Sequence, residues 1–228
     1  MRRVRLLAAL AAACALGSAA AAPFGVQLGD ARLVLDSPPG FADTTFTGSP
    51  RLQELAEALT SASNRILLFA ISDADLRRFS QGDPPEFRRY MLVATPRVYE
   101  RERLPPGAFQ RLAEDALRGF TPPPPETDVA RHLESQPVGL STALVQIRRD
   151  PDVLSLLYGT RLEPTKMPRF LGTDIRQNYV LASSTLLLVR GKALALSVFS
   201  LYESPDDAAW IRAVTERWIA ELQRMNRP

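Results

Sequence analysis

The chain has 228 residues, with 28 Lys and Arg against 25 Asp and Glu, a formal net charge of +3, one His and one Cys. Residues 1–22 hold three of the arginines and no acid, so the remainder carries 25 residues of each sign; a nucleic-acid binder needs a cation excess to displace phosphate counterions, and that class is excluded. With Cys14 the only thiol and His132 the only imidazole, an internal disulfide, a thiolate metal site and a His-rich metal or haem site within one chain are excluded as well.

The first expected element is a targeting segment. Arg2, Arg3 and Arg5 form a charged head and Leu6 to Leu16 an apolar stretch. The Ala, Ser and Gly residues that follow supply the small side chains a signal peptidase accepts. The expectation is a bacterial secretory signal over residues 1–21, cut after Ala20 or Ala21, followed by one domain over 22–228 in the periplasm or outside the cell. AAAC, ending at Cys14, offers lipidation as an alternative, although Ala11 stands where a lipobox has Leu. An uncleaved anchor is the third possibility, and the stretch is short and weakly apolar for a bilayer. Membrane contact follows only from those two alternatives. A domain of this size can rest on its own apolar core without disulfides.

From Pro23 the elements follow in order. Val26–Leu28 and Ala31–Leu35 flank Gly29-Asp30 and predict a β-hairpin. Residues 36–48, DSPPGFADTTFTG, lack periodicity and read as a loop. Ser49 as N-cap and Pro50 at the first helical position open a helix with Leu52, Leu55, Ala56 and Leu59 inward. RILLFAI (65–71) has the continuous apolar character of a buried strand, SDADLRRFS (72–80) suits a helical turn, and RYMLVATPRV (89–98) is another strand. A helix is predicted over 106–120 with Phe109, Leu112, Ala113, Ala116 and Leu117 on one stripe. TPPPPE (121–126) is a stiff polyproline crossover on the surface of the same domain.

The second half opens with a short helix over 127–134. Strands over 139–148 and 153–158 join around Asp150-Pro151, and an irregular stretch fills 159–178. The clearest hairpin follows, 179–189 and 193–202 about Arg190-Gly191-Lys192. Ser204 caps the last helix, with Asp207 at its third position as in a capping box, and Ile211, Val214, Trp218, Leu222 and Met225 form its stripe. Adjacent hairpins without strict βαβ alternation predict the α+β class, an antiparallel or mixed sheet covered by helices.

LVLDSPPGF (33–41) resembles the opening strand and Pro-Gly-aromatic turn of the PsbP-like family. The ending is similar too: a hairpin through RGKALALSVFSLY (190–202), an acidic cap at Asp206 and Asp207, and a terminal helix bearing Trp210, Trp218, Ile219 and Asn226. The likeness is confined to the two ends of the chain. It implies an α/β/α sandwich around an antiparallel sheet and a protein that binds partners rather than catalysing a reaction; it assigns no functional residue.

HExxH, GxSxG, GxGxxG, the P-loop, SxxK, Asp-Thr-Gly and Asp-Ser-Gly are all missing, which removes the common catalytic frameworks. His132 fits an exposed helix position better than a general base. Asp73 and Asp75 could begin a cation site, but Ser72 with Asp75 three residues later explains both as a helix cap. Asp150-Pro151-Asp152 is a turn. Arg77, Arg78, Arg88 and Arg89 could hold an anion, and Asp73, Asp75, Asp83 and Glu86 nearby favour local ion pairs instead.

The two irregular stretches are the better candidates, since long connections often carry function. The first offers Phe41, Asp43 and Phe46, and the second Arg161, Lys166, Met167, Arg169 and Phe170. Aromatic area beside directional cations is the mixture found at binding surfaces. The competing explanation is that both phenylalanines plug the ends of the sheet core. The leading reading is a non-catalytic, monomeric or weakly associating binding or accessory protein of the bacterial cell envelope that uses no cofactor and contacts an envelope protein or a small ligand through Phe41, Asp43, Phe46, Arg161, Lys166, Arg169 and Phe170. Its rivals are a cell-envelope hydrolase with a carboxylate pair acting on a glycan or ester, and a membrane-tethered lipoprotein.

Overall fold

A computed structural model describes residues 22–125, 127–162 and 179–227. β1 (Phe24–Leu28) and β2 (Ala31–Leu35) form a separate two-stranded ribbon. Gly29 turns it at φ +54°, where a Cβ would also lie 2.8 Å from the Arg101 carbonyl, so only glycine fits. Then come β3 (Phe41–Asp43), α1 (Pro50–Ala58), β4 (Asn64–Ser72), α2 (Asp73–Ser80), β5 (Arg89–Pro96), a 3-10 turn, α3 (Pro106–Leu117) and α4 (Val129–Glu134). β6 (Ser141–Asp150), β7 (Val153–Arg161), β8 (Tyr179–Val189), β9 (Lys192–Leu201) and α5 (Pro205–Met225) complete the order.

The fold is α+β. Seven strands lie in the order β3-β4-β5-β9-β8-β7-β6, every neighbouring pair antiparallel. The expected hairpin of β8 and β9 is central, its turn reduced to Arg190 and Gly191 at φ +51° and +77°, the left-handed pair of a tight two-residue hairpin.

Strand alternation sends one set of side chains to each face. On the first face Leu68, Met91, Val93, Leu181, Leu196 and Val198 pack with Leu28, Leu33 and Leu35 of the ribbon and with Ile211, Val214, Trp218 and Leu222 of α5. The hydroxyls buried in this layer satisfy one another, Ser183 with Thr215 at 2.8 Å and Ser155 with Thr185 at 2.7 Å. On the second face Phe69, Ile71, Tyr90 and Leu92 pack under Leu52 and Ala56 of α1, with Leu76 and Phe79 of α2 beside them.

Several expectations change. Residues 36–48 are not wholly a loop: Phe41–Asp43 forms β3, because three residues of backbone suffice to pair with Ala70–Ser72 at the sheet edge and leave no periodic signal. α3 stops at Leu117, where Arg118 turns extended, and of its expected stripe only Phe109 is buried while Ala116 is exposed. His132 is half-buried rather than exposed, its Nε2 enclosed without a hydrogen-bond partner. The described part of the polyproline run, 121–125, joins α3 to α4. The expected signal segment lies outside the described residues, among which no helix is long and apolar enough to cross a membrane.

Candidate functional site

β3, β4, β5 and β9 share one end of the sheet, and a cleft of about 520 Å3 opens there between the loop before β3 and the start of α5. Arg89, the first residue of β5, spans it. Its guanidinium carbon lies 3.9 Å from the ring centre of Trp210, and its Nη2 donates to Asp207 Oδ1 at 2.8 Å. Phe41 stands 6.1 Å from Trp210 between ring centres. An arginine on an indole face is held by the ring quadrupole as well as by its carboxylate. Phe41, Arg89 and Trp210 remain half-buried, so this layered group still meets solvent.

The carboxylates of the cleft are committed to structure. Asp207 takes hydrogen bonds from the main-chain N–H groups of Glu203 and Ser204 at 2.9 and 3.0 Å, closing the expected capping box of α5. Burial pushes its carboxyl up, but the Glu203, Arg89 and Ser204 hydrogen bonds together outweigh burial and hold it below the usual carboxylate range. Asp75 is buried, bonded to Ser72 as the expected cap, and accepts from the Glu86 N–H at 2.7 Å. Glu86 pairs with Arg78 at 3.1 Å and lies 3.7 Å from Arg88, which also grips Glu203. Three arginines of the expected patch, Arg78, Arg88 and Arg89, are therefore held in local pairs. Between Glu86 and Arg88, buried Phe87 adopts φ +49°, a strained conformation for a bulky residue.

The expected site residues do not gather in one place. Phe41 lines the cleft. Asp43 instead accepts from Thr45 N at 3.1 Å and Phe69 N at 3.2 Å, which shapes the turn after β3. Phe46 is 74% exposed and meets Phe24 edge-on at 4.9 Å. The two phenylalanines thus split: Phe41 packs against the core, and Phe46 does not plug it. Asp43 and Phe46 line a smaller cavity of about 220 Å3 with Ala22, Phe24, Asp36 and Ser37. There Asp36 Oδ1 is buried without a partner; burial raises its carboxyl against a hydrogen bond from Ser37, and Glu221 adds to the rise. Arg161 ends β7, with four strands between it and β3, and donates to the Glu134 carbonyl at 2.8 Å. Lys166, Met167, Arg169 and Phe170 lie outside the described residues. Among the described residues no cluster of three or more His, Cys, Asp or Glu could hold a metal.

Arg89, Asp207 and Trp210 were each visible in the sequence for another reason: a charged patch, a cap and a family likeness. Nothing in it indicated that residues 41, 89 and 210 would meet.

No family model matches the chain, and no curated protein matches it. Among solved structures it is similar to the Saccharomyces cerevisiae Ran-binding protein Mog1p, at 13% identity over 90% of this chain and 95% of that one, with a TM-score of 0.38. At that score the likeness carries no argument.

Proposed function

We propose that the protein is an exported, non-catalytic binding or accessory protein of the bacterial cell envelope, acting as a monomer through the Phe41–Arg89–Trp210 group. The observation that carries the reading is the Arg89–Trp210 stack itself. Arginine and tryptophan are the side chains that most often dominate binding energy, and here they are pre-ordered by Asp207 and half-open to a partner. Among the described residues the carboxylates that line the cleft are paired or capping. The charged head and apolar stretch of residues 1–21 support export.

Two measurements test this. Mass spectrometry of the processed chain is expected to give an N-terminus at Ala21 or Ala22; a lipidated Cys14 start would make it a tethered lipoprotein. Affinity capture from envelope extract is expected to recover a partner with the wild-type chain and lose it with Trp210→Ala. Equal recovery by both chains, or none by either, sinks the reading.

A hydrolase with a carboxylate pair is the second reading, favoured by Asp36 and Asp43 on one small cavity with Asp36 raised by burial. Turnover of a glycan or ester substrate that disappears in Asp36→Asn would select it.

A further inference from the structure

The two edges of the sheet are finished differently. β6 carries two bulges, at Ala143/Val145 and Gln146/Arg148, and ends on the charged run Arg148, Arg149 and Asp150. Such features discourage a further strand. At the opposite edge β3 pairs with only Ala70–Ser72 of β4. The Thr44 N–H extends the pairing by one residue, to the Phe69 carbonyl at 2.7 Å. From Arg65 to Leu68 no backbone hydrogen bond reaches the outer side of β4 among the described residues.

Antiparallel alternation decides which groups point outward. Phe69 turns its carbonyl to Thr44, so its partner Leu92 bonds to β9, and so does Ala94 two residues on. Across the single bulge, Ile66 lies opposite Ala94 and therefore also presents its N–H and C=O outward. These groups face a groove of about 740 Å3 with Leu52, Gln53 and Ala56 of α1 on one wall and Ile66 and Phe69 on the floor. Phe46 and Val98, 74% and 72% exposed, directly follow Thr45 and Arg97, which line opposite ends of the groove. Arg97 has no carboxylate partner among the described residues.

An outward N–H and C=O on one residue are matched by one residue of an extended chain, which exchanges both bonds with it. We infer that the groove takes an extended segment of a protein partner as an added strand, its backbone paired with Ile66, uncharged side chains against α1, apolar residues on Phe46 and Val98, and an acid beside Arg97. This surface is separate from the Arg89 cleft and does not depend on it.

Random dodecapeptides displayed on phage test the inference by selection on the full chain. Counter-selection uses Gln53→Trp, which fills the groove from an exposed position whose side chain, among the described residues, bonds only to Glu57. The enriched peptide is then made with a single N-methyl group at each position in turn. Binding is expected to fall about tenfold where methylation removes the bond to Ile66 and to be unchanged at the two adjacent residues. The Ile66 amide is expected to gain protection from hydrogen exchange. No enrichment, binding indifferent to N-methylation, or protection elsewhere would overturn the inference. So would a peptide-free dimer by light scattering with β4 amides protected, since a second copy would then occupy the edge.

Discussion

The side-chain amide of Asn226 closes a ring with the main chain of Val34: the Val34 N–H donates to Oδ1 at 2.8 Å, and Nδ2 donates back to the Val34 carbonyl at 2.8 Å. The same Nδ2 reaches the Leu222 carbonyl at 2.8 Å. One buried amide thus imitates a strand residue along β2 while ending α5. Asn226→Ala is expected to cost about 1–3 kcal/mol, read as a lower urea midpoint at unchanged m-value. Asn226→Asp should cost more, because it turns an acceptor toward two carbonyls.

Lys192 is fully buried at the start of β9, with Nζ 2.8 Å from the Glu102 carbonyl, 3.4 Å from that of Glu100 and 3.3 Å from Asp30. It ties the ribbon turn and the segment before α3 to the central hairpin. Lys192→Met keeps the length and removes the donors, with an expected loss of about 1–3 kcal/mol in equilibrium unfolding. Asp30→Asn should lose less, since Asp30 is exposed and the carbonyls keep their lysine.

Gly159 lies beneath α4, where an added Cβ would come within 2.6 Å of Leu133 Cδ2. Gly159→Ala is expected to destabilise by about 1–3 kcal/mol through overpacking. Added to Leu133→Ala, which empties the same space, it should cost far less than on its own. A double-mutant cycle that comes out additive would contradict this packing.

Asp36 and Asp207 predict opposite dependences on pH. The lowered Asp207 contributes stability above the usual carboxylate value of 3.8, and this is lost as pH falls through its depressed folded value. The raised Asp36 opposes folding increasingly as pH climbs from 3.8 through its elevated folded value. Stability of Asp36→Asn relative to wild type should therefore rise as pH climbs above 3.8, and that of Asp207→Asn should fall as pH climbs toward 3.8 from below, in parallel urea titrations.

Much of this fold is legible where a short stretch decides its own structure. Ser49-Pro50 and Ser204 with Asp207 announce two helix starts because caps are local chemistry, and the β8–β9 hairpin follows from two apolar runs about a two-residue turn. β3 escapes notice because three residues are too few to show a period, and they become a strand only through Ala70–Ser72. The α3 stripe misleads because Ala116 has helical spacing but no layer to pack on. The candidate site is the least legible part, since the Arg89–Trp210 stack needs β5 and α5 brought together from distant parts of the chain.

The strand order has a kinetic consequence. β3, β4 and β5 form one meander and β6 to β9 another, each built from neighbouring pairings, and the two halves meet in a single ladder between Arg89–Ala94 and Ala195–Ser200. The loop-closure entropy of the main sheet is concentrated in that ladder, so its closure governs the speed of folding. Until it closes, β5 and β9 are two apolar strands with open edges, and the half-folded chain is most exposed to mispairing with another molecule.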